Sequence, residues 1–204
     1  HPGFGKSALP LWIDRPDDIA VMYLELLDRL GIAKTEIVGC SLGGWIAAEM
    51  ASMAPERFAK IVLVAPAGVK VGPGDKLDIP DIWALPQEEV NKLVFHDPAK
   101  MAVDPANLSD EQLTIMLRNR ETTALLTWEP WMHNPKLKHR LHRVKAPTLF
   151  VRGVSDGLMS AAYVDAYAKL VPGARTATIA AAGHAPQLEQ PAAFAATVLP
   201  FLDG

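Results

Sequence analysis

Ile19, Met22, Tyr23, Leu26, Leu27 and Leu30 recur at three- and four-residue spacing, which predicts the apolar face of a helix over residues 16–30. Pro16 suits its first position, Asp17 and Asp18 complement the positive end of the helix dipole, and Gly31 supplies a stop. The period then changes. Residues 35–39 (TEIVG) read as a short strand bounded by Gly39. Residues 42–54 read as a helix of small side chains, with Gly43, Gly44, Ala47, Ala48, Ala51 and Ala54, that can lie close against a sheet. Residues 60–64 (KIVLV) form a continuous apolar run, as expected of a strand buried on both faces. Strand, helix and strand within about 30 residues make a parallel crossover unit.

The rhythm returns after residue 145, with strands at 148–151 and 176–179 and helices at 161–170 and 191–202. Such alternation predicts an α/β fold, a mostly parallel sheet with helices on both faces. Residues 67–145 interrupt it. They are punctuated by prolines from Pro73 to Pro135 and hold Trp83, Trp128 and Trp131. Ser109-Asp110-Glu111-Gln112 is a capping box that opens a helix running to about residue 128. A helical insertion rich in large apolar side chains suggests a cap over a pocket. The expected organisation is therefore a core part at 1–66, a helical cap or lid at 67–145, and a second core part at 146–204.

Composition narrows the function classes. A chain of 204 residues is one domain with room for an insertion. Lys plus Arg is 20 against 23 Asp plus Glu, a net charge of −3, which argues against nucleic acid or anionic membrane as the main partner. The single cysteine, Cys40, leaves no internal disulfide and no cysteine-based zinc cluster. No apolar run reaches the roughly 18 residues of a membrane span, and the opening residues lack the basic start and apolar stretch of a signal peptide. A cytoplasmic protein acting on a small-molecule substrate is expected, with a homo-oligomer left open by the sequence. The chain starts at His1 and turns at once through HPGFG, which reads as a chain entered in mid-fold.

Gly39-Cys40-Ser41-Leu42-Gly43 matches G-x-S-x-G. In a chain of this composition chance supplies about 0.03 such matches. The match falls between a predicted strand and a predicted helix, the strand-to-helix turn the pattern requires. Glycine on both sides is expected to relieve collisions in a strained turn. That turn would lift the Ser41 hydroxyl clear and aim the Leu42 N–H at the same space. A serine hydroxyl needs a base to take its proton. Of six histidines, His184 follows the last predicted strand directly, in AAGHAP. His1 is terminal, His96 lies inside the insertion, and His133, His139 and His142 belong to the basic stretch HNPKLKHRLHR. That stretch reads as a solvated basic face, with a phosphate site or a His139–His142 metal pair as the alternatives. The base needs an acceptor. Asp156, in RGVSDG after the strand at 148–151, stands where ligands and catalytic groups gather in parallel sheets. The order Ser, Asp, His is the one this motif carries.

HPGFGKS, VGCSLGGW, PTLFVRGVSD and GHAPQLEQP together resemble the α/β-hydrolase superfamily, in particular bacterial serine hydrolases with a helical cap. The resemblance extends over nearly the whole chain. It implies Ser41 as nucleophile, Asp156 as acid, His184 as base, Leu42 as one oxyanion-hole donor, a lid at about 70 to 140, and no metal or organic cofactor. Members of that family carry four strands ahead of the loop that here begins at His1, with a His-Gly motif that supplies the second oxyanion donor. The chain is therefore expected to be N-terminally incomplete, with 35–39 as an open apolar edge. Serine at 41 argues against the dehalogenase and epoxide hydrolase branches, which use aspartate there.

The expected activity is hydrolysis of a small carboxylic ester, thioester or lactone through an acyl-serine. The alternative is a carbon–carbon bond hydrolase of ring-fission products. Those usually carry a tryptophan after the histidine, where Ala185 stands here. Arg118 or Arg120 is the candidate to hold such a substrate's carboxylate, unless both lie on the surface. A hydrolase-fold binding protein or receptor with little turnover is the alternative of another class.

Overall fold

The computed structural model describes residues 1–204. Helix α1 spans Pro16–Arg29, followed by β1 at Thr35–Cys40, α2 at Leu42–Met53 and β2 at Phe58–Val64. The stretch between β2 and the next strand contains α3 (Gln87–Val94), α4 (Pro98–Met101) and α5 (Asp110–Thr127). Then come β3 (Thr148–Gly153), α6 (Ala161–Ala168), β4 (Arg175–Ile179), α7 (Pro186–Glu189) and α8 (Pro191–Asp203). The Ser109 capping box is present at the start of α5: its hydroxyl accepts from Gln112 N and its own N–H donates to the Gln112 side chain. Gly31 ends α1 with a φ of 66°.

The four strands lie side by side in the order β1-β2-β3-β4, all parallel. Because the strand order is also the chain order, right-handed crossovers carry α2 and α6 over the same face. Alternation along β2 sorts the core accordingly. Ile61 and Leu63 join Phe150, α1, α2 and α6 in one buried cluster, whereas Val62 and Val64 join Leu149, Val151 and α8 in the other. β3, with neighbours on both sides, is buried at every residue. β1 pairs only with β2, and Val38 on its α8-side face is 49% exposed. A groove of ≈ 510 Å³ runs beside β1 between Tyr23, Leu26, Val38 and Met50 and reaches Gly39, Cys40 and Gly43 of the motif, but not Ser41, Asp156 or His184. No helix is long and apolar enough to cross a membrane.

α2 is buried from Gly44 to Ser52, and its small residues let it lie between α1 and the sheet. Within it the sequence hides a charge. Glu49 is fully buried; its Oε1 accepts from Trp45 Nε1 at 3.1 Å and from Asn134 Nδ2 at 2.8 Å, while Oε2 has no partner. Burial pushes its carboxyl above the usual carboxylate range, against the lowering effect of those two hydrogen bonds. With the folded pKa above the unfolded one, the stabilisation is full below the unfolded value and fades as pH rises through the folded value. Glu49→Gln keeps one oxygen acceptor and removes the charge. It is expected to unfold at higher urea than the wild type near neutral pH, with the gap closing at about pH 4. Denaturation curves that differ by the same amount at every pH would contradict this origin.

Candidate active site

Ser41, Asp156 and His184 follow β1, β3 and β4, so the parallel sheet brings all three to its C-terminal edge. Ser41 sits at φ 54°, ψ −115°, a sparsely populated conformation for a residue with a Cβ. Its backbone is held from three sides: its N–H donates to Val64 O at 2.8 Å, and its carbonyl accepts from Trp45 N at 3.0 Å and Ala67 N at 3.2 Å. The strain is thus fixed by β2 on one side and α2 on the other, and the hydroxyl is turned out of the chain.

The glycines do not share the steric demand in the way the motif suggests. A Cβ on Gly39 would collide with the Gly43 carbonyl, and one on Gly44 would lie 2.8 Å from Pro66 Cβ. A Cβ on Gly43 would meet nothing nearer than His1 Nε2 at 3.8 Å. The constrained pair is therefore Gly39 and Gly44; a side chain on the second glycine of the motif would make only an ordinary van der Waals contact.

Asp156 has a side chain with no solvent exposure. Its Oδ1 accepts from the N–H groups of Leu158 and Met159, both at 2.9 Å, and its Oδ2 lies 3.1 Å from His184 Nδ1. Two backbone donors thus fix the carboxylate before the imidazole meets it. With Nδ1 occupied, Nε2 is the ring nitrogen left for other work. His184 and Ser41 line the same cavity, of ≈ 210 Å³. Its walls are otherwise mostly apolar: Leu42, Trp45, Ala67, Leu158 and Met159 from the core, with Ile79, Ile82 and Met132 from the segment between β2 and β3. Thr123 and Thr127 of α5 also reach it, their hydroxyls donating to carbonyls of their own helix. Leu42 is the first residue of α2, where N–H groups lack intrahelical partners.

Cys40 does not line this cavity; it lines the groove beside β1, and its Sγ donates to the His184 carbonyl oxygen at 3.9 Å and accepts from Gln187 Nε2 at 3.5 Å. Burial pushes its thiol up, which disfavours the thiolate. Arg118 lies on the surface beside Asp110 and Glu111, and Arg120 stacks 4.5 Å from the Trp83 ring centre and donates to Gln87. Neither lines the cavity. His139 and His142 have no third ligand: no group of three or more His, Cys, Asp or Glu side chains converges as a metal site. His96 is nearer the chemistry than its place in the insertion suggests, with Nδ1 2.7 Å from Ser155 Oγ, next to Asp156.

A parallel sheet with a strained serine turn after one strand and an Asp–His pair after two others defines an α/β hydrolase architecture. A family model described as alpha/beta hydrolase fold matches residues 1–191, and the chain belongs to that family. It is 30% identical over 224 residues to a 2-hydroxy-6-oxononadienedioate/2-hydroxy-6-oxononatrienedioate hydrolase of Burkholderia vietnamiensis, covering 98% of this chain and 74% of that protein. It is 27% identical over 195 residues to a dihydrolipoyllysine-residue acetyltransferase component of an acetoin cleaving system from Pseudomonas putida. That match takes in 92% of this chain but spans only half, 50%, of the relative's length. A solved serine hydrolase from the polyaromatic hydrocarbon-degrading bacterium Cycloclasticus zankles has the same fold, with a TM-score of 0.77 at 22% identity over 99% of this chain and 77% of that one. Membership of a hydrolase-fold family, with a hydrolase among these relatives, supports an enzyme.

Proposed function

We propose that the protein is a serine hydrolase that cleaves small, uncharged carboxylic esters, thioesters or lactones through an acyl-serine intermediate. One observation carries the reading: Ser41 is presented in a strained turn to a mostly apolar cavity that it shares with His184, whose far nitrogen is held by the buried Asp156. Ser41 Oγ attacks the carbonyl carbon as its proton passes to His184 Nε2, and Asp156 Oδ2 accepts from Nδ1–H of the imidazolium. The Leu42 N–H stabilises the oxyanion. Collapse of the tetrahedral intermediate breaks the bond to the leaving oxygen or sulfur, which takes the proton from His184. Water then repeats the cycle, and the acid leaves with Ser41 and His184 restored. Residues 67–145 act as the lid, since Ile79, Ile82, Thr123, Thr127 and Met132 close the cavity from that side. A cytoplasmic location, suggested by the composition, belongs to the same proposal.

The lining of the cavity favours this over carbon–carbon bond hydrolysis of a carboxylate-bearing ring-fission product. It contains no cation to pair with a carboxylate, and an unpaired buried charge is costly. Activity on p-nitrophenyl acetate or butyrate is expected to exceed that on the mono-p-nitrophenyl ester of succinate by about 100-fold in kcat/KM. Preference for the charged ester, or cleavage of a vinylogous diketone acid, would favour the carbon–carbon reading. Binding of the neutral esters without turnover would favour a binding protein.

A further inference from the structure

Residues 93–96, which end α3 and follow it, cross both loops that carry the Asp–His pair. On the acid side Gly157 N donates to Leu93 O at 2.8 Å, and His96 Nδ1 lies 2.7 Å from Ser155 Oγ. On the base side His184 N donates to Val94 O at 2.6 Å. The approach is backbone against backbone: a Cβ on Gly183 would strike the Val94 carbonyl, and one on Gly157 would lie 3.1 Å from both the Cα and the carbonyl oxygen of Leu93. Where the His184 loop and this strap come together, both rest on one carboxylate. Glu189, the last residue of α7, accepts from Gly183 N with Oε1 at 2.6 Å and from His96 N with Oε2 at 2.7 Å. Two amide donors, one on each partner, thus share a single acceptor group whose two oxygens are both used.

We propose that Glu189 is a positioning residue: it fixes the peptide that precedes His184 against the strap at 93–96, and so sets where the imidazole stands relative to Ser41. This rests on the serine hydrolase reading above. Glu189 does not line the cavity, and its carboxylate bonds neither Ser41, Asp156 nor the His184 ring; it acts through the Gly183 N–H and the chain to His184. A misplacement of about 1 Å in a reacting group costs on the order of 100-fold in rate. The chemistry of the acceptor supplies a sharp discriminator. Glutamine has the same size but only one acceptor oxygen, so its NH2 would face one of the two N–H groups, donor against donor. If Glu189 served only as packing volume, glutamine would restore it.

The test measures the rate of Ser41 labelling by a fluorophosphonate, steady-state kinetics on p-nitrophenyl butyrate, and amide hydrogen exchange at Gly183 and His96. Wild type, Glu189→Gln and Glu189→Ala are compared. Labelling rate and kcat are expected to fall by about 100-fold in both variants, with KM within about threefold of wild type. In the wild type the Gly183 and His96 amides are expected to exchange slowly although they lie in loops, and to lose that protection together in Glu189→Gln. A Glu189→Gln protein labelled at the wild-type rate would overturn the proposal, as would unprotected Gly183 and His96 amides in the wild type. Should Glu189→Ala fail to fold, Glu189→Gln, which keeps the side chain's volume, decides by its labelling rate. A wild type that is never labelled speaks against the serine hydrolase reading, while its amide protection still reports on the strap.

Discussion

Ser41→Ala is expected to lower ester turnover by about 10⁶-fold and to leave the fold intact. The size of the loss follows from the chemistry: with no Oγ there is no acyl-enzyme, and only uncatalysed attack by water inside the cavity remains. The intactness follows from the structure. The Ser41 hydroxyl makes no hydrogen bond that the fold depends on, and the three bonds that hold the turn are made by its backbone. Alanine at φ 54° meets the same strain as serine, so the melting temperature should move by no more than a few degrees. Turnover kept within tenfold would remove Ser41 from the mechanism. A collapse in melting temperature would instead mean that the turn depends on the hydroxyl.

Asp156→Asn should cost about 10⁴-fold in kcat, by analogy with the serine–histidine–aspartate template. Here the cause can be read from the contacts. Oδ1 faces two N–H donors, Leu158 and Met159, so the asparagine oxygen takes that side and the NH2 is turned to His184. An NH2 facing Nδ1 demands that Nδ1 accept, which places the ring proton on Nε2. His184 then holds a proton at the nitrogen that should receive one from Ser41. Rapid-mixing measurement of acyl-enzyme formation on p-nitrophenyl butyrate checks this, since the defect lies in the first proton transfer. A loss of only a few-fold would mean that another group orients the imidazole.

How much of this was legible depends on whether a feature is local. Gly39 to Gly44 is one contiguous turn, and the flanking strand and helix announce themselves by period, so the position of Ser41 could be read directly. Asp156 and His184 lie far from Ser41 in the chain, yet each follows a recognisable strand, and parallel strands place their ends together. The capping box at Ser109 was legible for the same reason: its donors and acceptors are three residues apart. What stayed hidden is long-range or carried by the backbone. The strap at 93–96 meets the two loops largely through N–H and C=O groups, which every residue type possesses, and nothing near Glu189 signals that its partners are Gly183 and His96. The Glu49–Asn134 contact joins residues 85 apart, in a helix that reads only as small and apolar. The motif also misassigned a constraint. Its second glycine, Gly43, has room, and the tight contact belongs to Gly44 one residue on.

The central claim is that Ser41 is a nucleophile activated by His184. Its most direct test is the intact mass of the protein before and after a fluorophosphonate probe, with Ser41→Ala alongside and the adduct located by peptide mapping. The expected result is one adduct per chain, on Ser41, and none in the variant. No adduct on the folded protein, or an adduct on another residue that persists in Ser41→Ala, would contradict the account.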